Sequence, residues 1–511
     1  MDDLGAHDLG MHRTGIKTDC ADWLAENGVY LENYYVLPSC SPTRSAIMTG
    51  RYPLHTGIHN WILSDSTVGL PLDEETLPQV LKRGANYTCH AVGKWHLGHA
   101  RWKQTPTYRG FDSFFGFYVG GQDYFSHTDE FGGYDMRSDD KPNCGPGCSR
   151  IVDERGNYST HVFTREAVHV LDEYASTRRS QSKGNPGEDD NNNNDDEEKD
   201  QPLFLYLAYQ AVHAPDEVPE SYRKPYEKQH PTWSEKRKTY AGMLTAADES
   251  IAAVIERLKQ HVMWNDTLVV FTTDNGGPTE TCAVQGSSNF PRRGGKCTVW
   301  EGGTTGDGLV AGPALERFQI PTGTRQQGLF HAVDWLPTLA DMVGATPKGK
   351  PLDGVNQLGA LQGIEAARNE VFVGIGIDLD WTVYGPAIRH DRWKLIEKSG
   401  GPSAINDNNT DTNNDNGRDT GKSTSSDASS PSTNYLLFDL SVDREEAHNV
   451  ADKHPEILQL MKDKLEGYKK EMVPIPSEDP DCPFHGLVNT TIGKTWVPWC
   501  PDEATELLVY W

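Results

Sequence analysis

The run Pro202–Tyr209 (PLFLYLAY) is almost wholly apolar or aromatic, and Thr267–Thr273 (TLVVFTT) repeats that character further along the chain. Runs of this length with few polar interruptions predict strands of a parallel or mixed sheet, covered on both faces. Between them, Lys238–His261 places Tyr240, Met243, Leu244, Ala247, Ile251, Val254, Ile255 and Leu258 on one stripe at helical spacing. Strand, helix, strand in that order predicts an α/β domain. Ligands of such sheets bind beyond the carboxyl ends of the strands. The segments Gln210–Pro215 and Asp274–Gly277, which follow the two runs, are therefore where chemistry is expected. Glu370–Ile377 (EVFVGIGI) predicts another strand. After about residue 365 the pattern changes to short alternating strands such as Ala387–Glu397 and one late helix, Pro455–Glu471. The expected fold is a large mixed, mostly parallel sheet flanked by helices over 1–365, with a smaller α+β domain over 366–511.

The 511 residues include 48 Lys+Arg against 74 Asp+Glu, a formal net charge of −26. An acidic chain lacks the basic face that nucleic-acid binding requires, so no nucleic-acid partner is expected. No apolar run is long enough for a transmembrane helix. The charge is uneven. Glu188–Asp200 (EDDNNNNDDEEKD) holds eight acids and one lysine, or −7. Pro402–Asn434 holds five aspartates against Arg418 and Lys422, or −3. Neither stretch has the apolar surface to offset its ordering entropy, so both are expected as disordered insertions. They account for −10 of the −26. Nine cysteines and five Asn-x-Ser/Thr sequons, at Asn86, Asn157, Asn265, Asn408 and Asn489, lean toward a secreted chain. Yet Met1 is followed at once by Asp2, with no signal peptide between.

Four groups of residues carry chemistry. In Cys40-Ser41-Pro42-Thr43-Arg44, a cysteine near an arginine reads either as a low-pKa thiolate nucleophile or as half of a disulfide. In Gly93-Lys94-Trp95-His96-Leu97-Gly98, Lys94 and His96 share one side if the segment is extended, and two such groups could hold one tetrahedral anion. Asp2, Asp3, Asp274 and Asn275 offer oxygen donors that suit a hard divalent cation. His213, in Val-His-Ala-Pro, follows a strand, and Lys296 closes a basic loop just before Trp300-Glu301-Gly302-Gly303.

Taken together, these motifs resemble the type I sulfatase family of the alkaline-phosphatase-like superfamily. Cys-x-Pro-x-Arg, followed by Met48-Thr49-Gly50-Arg51, is similar to its first signature, and GKWHLG to its second. Asp-Asp-Leu-Gly and Thr-Asp-Asn-Gly-Gly are similar to the segments that form its metal site. The runs GVYLENYYV, RGFDSFFGFYVGGQDYFSH, AVDWLPTL and LFDLSVDREEAHNV extend the likeness to the arylsulfatase B (N-acetylgalactosamine-4-sulfatase) group over nearly the whole chain.

The resemblance implies a catalytic domain over 1–365 that hydrolyses sulfate esters on sulfated carbohydrates or aryl sulfates. Cys40 would be converted to Cα-formylglycine by the formylglycine-generating enzyme, and its hydrated aldehyde would attack sulfur. One cation, Ca²⁺ in preference to Mg²⁺, would be held by Asp2, Asp3, Asp274, Asn275 and residue 40. Asp274 would help deprotonate the attacking hydroxyl, Lys94, Lys296 and the cation would stabilise charge, Arg44 would hold the formylglycine hydrate, His213 would protonate the leaving alcohol, and His96 would assist sulfate release. The implied setting is the secretory pathway, lysosomal or extracellular, as a disulfide-bonded glycoprotein acting in glycosaminoglycan degradation. With Cys40 set aside, eight cysteines remain to pair, Cys144 with Cys148 and Cys482 with Cys500 among the local choices.

Two departures from the family stand out. An apolar strand and a signal peptide would be expected before Asp2, and Thr304-Thr305 occupies the place where the family usually has an arginine after Glu-Gly-Gly. Two other readings share many of these residues: a phosphoester hydrolase of the same superfamily, and a catalytically impaired homologue that binds sulfated glycans.

Overall fold

A computed structural model describes residues 1–181, 201–279, 282–365, 367–377, 383–397 and 434–502. Glu188–Asp200, and all but the last residue of Pro402–Asn434, lie outside the described residues. The strands before residue 365 are β1 (Val29–Tyr35), β2 (Thr88–Lys94), β3 (Ser113–Phe117), β4 (Arg137–Asp139), β5 (Ser149–Ile151), β6 (Leu203–Ala208), β7 (Val269–Thr272), β8 (Gly308–Ala311) and β9 (Thr324–His331). The architecture is mixed α/β, with the strands divided between two sheets. In one, β2 lies between parallel β3 and β6, and β4 and β5 continue antiparallel beyond β3. In the other, β1 lies between parallel β9 and antiparallel β8, with β7 at the edge.

A short N-terminal segment links the edge strands β6 and β7 at their carboxyl ends. Asp2 exchanges backbone hydrogen bonds with Ala211 (3.0 Å) and Val212 (2.7 Å) just beyond β6. The amino group of Met1 donates to Thr272 O at the end of β7 (2.9 Å). The paired aspartates are thus anchored from both sides at the sheets' carboxyl ends.

The predicted helix forms as Glu235–Gln260. Of its apolar stripe, Tyr240, Met243, Leu244, Ala247, Val254, Ile255 and Leu258 are buried, and Ile251 is half-buried. Several of them pack with Leu4, Leu9, Phe271 and Leu309 in one core. This ties the helix to the segment that carries the paired aspartates.

The C-terminal sheet is antiparallel: β10 (Glu370–Ile377), β11 (Val383–His390), β12 (Trp393–Glu397) and β13 (Tyr435–Asp439). The run Ala387–Glu397, expected as one strand, is a hairpin. Asp391 takes the left-handed conformation (φ 50°), which turns the chain between His390 and Trp393. The late helix forms as Pro455–Glu471 and buries Met461 and Leu465. Beyond it the chain returns to the first sheet region: β14 (Leu487–Thr490) and β15 (Gly493–Trp496) form a hairpin bonded to Tyr134 on both sides. Among the described residues, no helix is long and apolar enough to cross a membrane.

Disulfides join Cys144–Cys148, Cys282–Cys297 and Cys482–Cys500. The expected even pairing of the remaining cysteines does not hold, because Cys20 and Cys89 remain thiols. Cys89 is enclosed in β2 with its sulfur against Pro78 O, and Cys20 is the second residue of the helix Asp19–Asn27.

Leu244 is 1 % exposed at the centre of the helix core. Leu244→Ala is expected to lower unfolding free energy by about 2–5 kcal/mol, read as a shifted midpoint in chemical denaturation.

Candidate active site

The carboxyl ends of the strands deliver the predicted residues to one place. The chain leaves β1, and Ser39, in extended conformation, precedes a helix that runs Cys40–Thr49. Thr43 Oγ1 accepts from Leu37 N (2.8 Å) and so ties the first turn back to the strand exit. Every residue of this helix is buried, and Gly50, in the left-handed region (φ 66°), terminates it. Cys40 therefore sits at a helix N-terminus, where backbone dipoles favour negative charge. Lys94 is the last residue of β2, His213 lies beyond β6, and Asp274 and Asn275 lie beyond β7.

These side chains form a closed network of buried ion pairs. Lys94 Nζ donates to Asp2 Oδ2 (2.7 Å), and Lys296 Nζ to Asp3 Oδ2 (2.9 Å). Arg44 donates through Nε (3.1 Å) and Nη2 (2.8 Å) to Asp274 Oδ2, and through Nη1 to Lys94 O (3.2 Å). Its Nη2 also lies 3.4 Å from Asp2 Oδ2. Asp274 Oδ1 accepts from Asp3 N (3.2 Å), and Asn275 Nδ2 donates to Asp3 Oδ1 (2.7 Å). Burial opposes the charge on Asp2, but Lys94, His213 and Arg44 outweigh it and hold the carboxyl at about 2. Asp3 is lowered in the same way, burial being outweighed chiefly by Lys296 and His213.

Cys40 Sγ lies 3.7 Å from Asp2 Oδ1. Burial pushes its thiol up to about 12, although Lys296 and Lys94 pull the other way. Of the two readings open for an unmodified cysteine here, the disulfide is excluded because Cys40 is free. A low-pKa thiolate is disfavoured by the surroundings.

Asp2, Asp3, Cys40 and His213 each offer a ligand atom, all within 4.8 Å of one another. Asn275 Oδ1 is buried without a hydrogen-bond partner and completes the donor set. Carboxylate and amide oxygens are the donors that hard divalent cations take, so the residues fit such an ion. Three carboxylates balance Arg44, Lys94 and Lys296, so a divalent cation would leave the pocket doubly positive and matched to an anion.

The two histidines are oriented by backbone. His213 Nδ1 faces Ala214 O (2.7 Å), leaving Nε2 toward Asp3 Oδ2 (3.7 Å). His96 Nε2 faces Ile62 O (2.9 Å), which leaves Nδ1 buried and unpartnered. Burial lowers the pKa of both, and the neighbouring lysines add to it.

Of the residues named from sequence, Asp2, Asp3, Cys40, Arg44, Lys94, His213, Asp274, Asn275 and Lys296 converge, and His96 lies within electrostatic reach of Lys94, Arg44 and His213. Thr304 and Thr305 are buried and return their hydroxyls to Trp300 O and Glu301 O. Tyr206 of β6, whose hydroxyl feels the charge of Arg44, carries no signal in the sequence beyond a strand position. Gly120 and Gly121 form a wall: a Cβ on Gly120 would stand 2.7 Å from His96 Nε2, and one on Gly121 3.1 Å from His213 Cε1. Asp135 holds the approach to that wall by accepting from Tyr118 N (2.6 Å) and Val119 N (3.0 Å), and is itself paired with Arg137. A glycine pair shortly after a strand is the signal that could have found the wall.

A model of the sulfatase family matches residues 1–345. The chain is 33% identical to mouse arylsulfatase J over 98% of its own length and 79% of that protein. It is 29% identical to human N-acetylgalactosamine-6-sulfatase over 71% of its length and 64% of that protein. The crystal structure of Ps i-CgsB in complex with k-i-k-neocarrahexaose superposes with a TM-score of 0.72 at 26% identity, covering 94% of each chain.

Gly120→Ala would drive a methyl into His96. A displacement of about 1 Å is expected to cost ~10²-fold in kcat, measured on an aryl sulfate, with the unfolding midpoint close to that of the parent.

Proposed function

The chain belongs to the sulfatase family and is a sulfuric ester hydrolase; from that premise we propose that residue 40, matured to Cα-formylglycine, is its nucleophile, and that Asp2, Asp3, Asp274 and Asn275 hold one divalent cation, calcium, beside it. The observation that carries this reading is the placement of Cys40 at a helix N-terminus, 3.7 Å from Asp2 and enclosed by the Arg44, Lys94 and Lys296 network. The formylglycine hydrate supplies a hydroxyl that can attack sulfur, which an enclosed thiol with raised pKa does not. The cation, when bound, neutralises sulfate charge and acidifies that hydroxyl.

The chain's own groups do the rest. Lys94 and Lys296 bring buried positive charge to the sulfate oxygens as the sulfur–ester bond breaks. Arg44 fixes Asp274, whose carboxylate takes the proton of the attacking hydroxyl. His213, when protonated on both nitrogens with its Nδ1–H on Ala214 O, gives its Nε2 proton to the departing alcohol oxygen, with Lys296 beside it. The bare Nδ1 of His96 is the acceptor for the proton released when sulfate leaves.

The substrate in this reading is a sulfated glycan such as one with N-acetylgalactosamine 4-sulfate units. The name of one relative and the neocarrahexaose in complex with a structural neighbour support a glycan. Residues 1–365 are read as the catalytic domain and 366–511 as the second domain. The setting is the secretory pathway, lysosomal or extracellular, where the formylglycine-generating enzyme would act on Cys40. The disulfides favour an oxidising compartment. Four sequon asparagines, Asn86, Asn157, Asn265 and Asn489, are exposed, as glycosylation requires, while Asn408 lies outside the described residues.

Mass spectrometry of the peptide containing residue 40, from protein made through the secretory route, is expected to show formylglycine in place of cysteine, and an unmodified thiol in active enzyme would overturn the assignment. Cys40→Ala is expected to reduce aryl sulfate turnover to background, and aryl phosphate is expected to be the poorer substrate of the parent enzyme. Dialysis against a chelator should abolish turnover and calcium should restore it; full activity after metal removal would refute the cation site.

A further inference from the structure

A cleft of about 360 Å³ lies between β1 and β9 on one side and the C-terminal sheet on the other. Its size falls in the range of about 300–1,000 Å³ typical of small-molecule sites. No residue of the catalytic network lines it. Its walls instead present Arg292, Arg368, Arg389, Arg392 and Arg444.

Arg368 pairs with buried Asp334 (2.6 Å) and Arg392 with Asp439 (3.6 Å), but the acids of the cleft itself do not balance the other three. Glu32 pairs with Arg325 and Glu301 with Lys394, both outside the cleft, while the side chain of Asp391 is 61% exposed. Among the described residues, Arg292, Arg389 and Arg444 have no carboxylate in salt-bridge contact. Arg389 bonds only neutral groups: Asn33 Oδ1 (3.2 Å), Tyr35 OH (2.7 Å) and Asp391 O (2.8 Å).

Two guanidinium nitrogens, Arg292 Nη1 and Arg368 Nε, are buried without an acceptor, and the Arg368 side chain is only 6% exposed. Buried donors are normally satisfied, so orphaned donors in an arginine-lined cleft point to an anionic acceptor from outside the chain. The cleft is also close to the catalytic centre. Arg292 and Lys296 are four residues apart, so their Cα atoms can be at most about 14 Å apart.

We propose that this cleft is a second oxyanion site, which takes a distal sulfate or carboxylate of the same sulfated glycan whose ester is cleaved at residue 40. The proposal rests on the function proposed above. It makes the enzyme one that reads charge at two points along an oligosaccharide, so a glycan bearing a second anionic group is the better substrate.

The test compares the parent with Arg292→Ala/Arg444→Ala on an aryl sulfate, a mono-sulfated oligosaccharide and the same oligosaccharide carrying a second anionic group. The parent is expected to prefer the doubly charged oligosaccharide in kcat/KM, and the variant to lose about tenfold of that preference through KM. Arg292→Lys/Arg444→Lys, which retains both charges, should recover part of it. An unchanged preference, or an equal loss on all three substrates, would overturn the proposal. So would tight binding of inorganic sulfate that needs these arginines while the parent shows no preference, since the cleft would then serve the free anion. Absence of aryl sulfate turnover in the parent would instead sink the functional reading itself.

Discussion

Six buried charges that cannot be separated organise this structure. Asp2, Asp3 and Asp274 face Lys94, Lys296 and Arg44, and every one of them is nine-tenths buried or more. Removing a single partner from a buried pair strands the other charge, at a typical cost of about 3–5 kcal/mol. The segments that supply them come from both sheets and from the N-terminal link, so the network adds charge pairing to the backbone bonds that already join that link to β6 and β7. It also explains how so acidic a chain can prepare a pocket for an anion: the pocket is neutral by pairing, and a divalent cation would make it positive.

The loop that carries Lys296 is fixed by a second charged cluster. Lys394 of β12 bridges Glu301 (2.9 Å) and Glu446 (2.8 Å), and Glu446 accepts from Glu301 N (2.7 Å). Two carboxylates on one lysine cannot both stay charged cheaply. Burial, opposed by Lys394, raises the Glu446 carboxyl to about 7. Gly302 and Gly303 bring this loop against backbone so closely that a Cβ on either would stand within 2.5 Å of a carbonyl oxygen. The C-terminal sheet thus positions a residue of the catalytic centre without contributing one itself. The arginine cleft lies along the same seam.

Much of this is legible in residue order. The apolar runs form β6, β7 and β10, the stripe forms the long helix, and the residues after the strands form the site, because burial and chain direction follow directly from the pattern. The site residues are found through their motifs, each too short to be decisive alone. Tyr206 has no role legible in the sequence and Gly120-Gly121 only a faint one, since a tyrosine in a strand and a glycine pair in a loop have many uses. Only their places beside Arg44, His96 and His213 distinguish these. The hairpin at Asp391 reads as one strand because no glycine or proline marks the turn within Ala387–Glu397.

The residue types of the centre, then, are determined by the sequence itself: which acids, lysines, histidines and arginine meet there follows from residue type and motif. Tertiary structure alone decides which carboxylate each cation pairs with, which nitrogen of His96 is left bare, and that Cys20 and Cys89 stay thiols. It also places five arginines, scattered from 292 to 444, around one cleft. Pairing, tautomer and cleft charge depend on distances of a few ångströms between segments far apart in the chain, and local sequence patterns do not encode such distances.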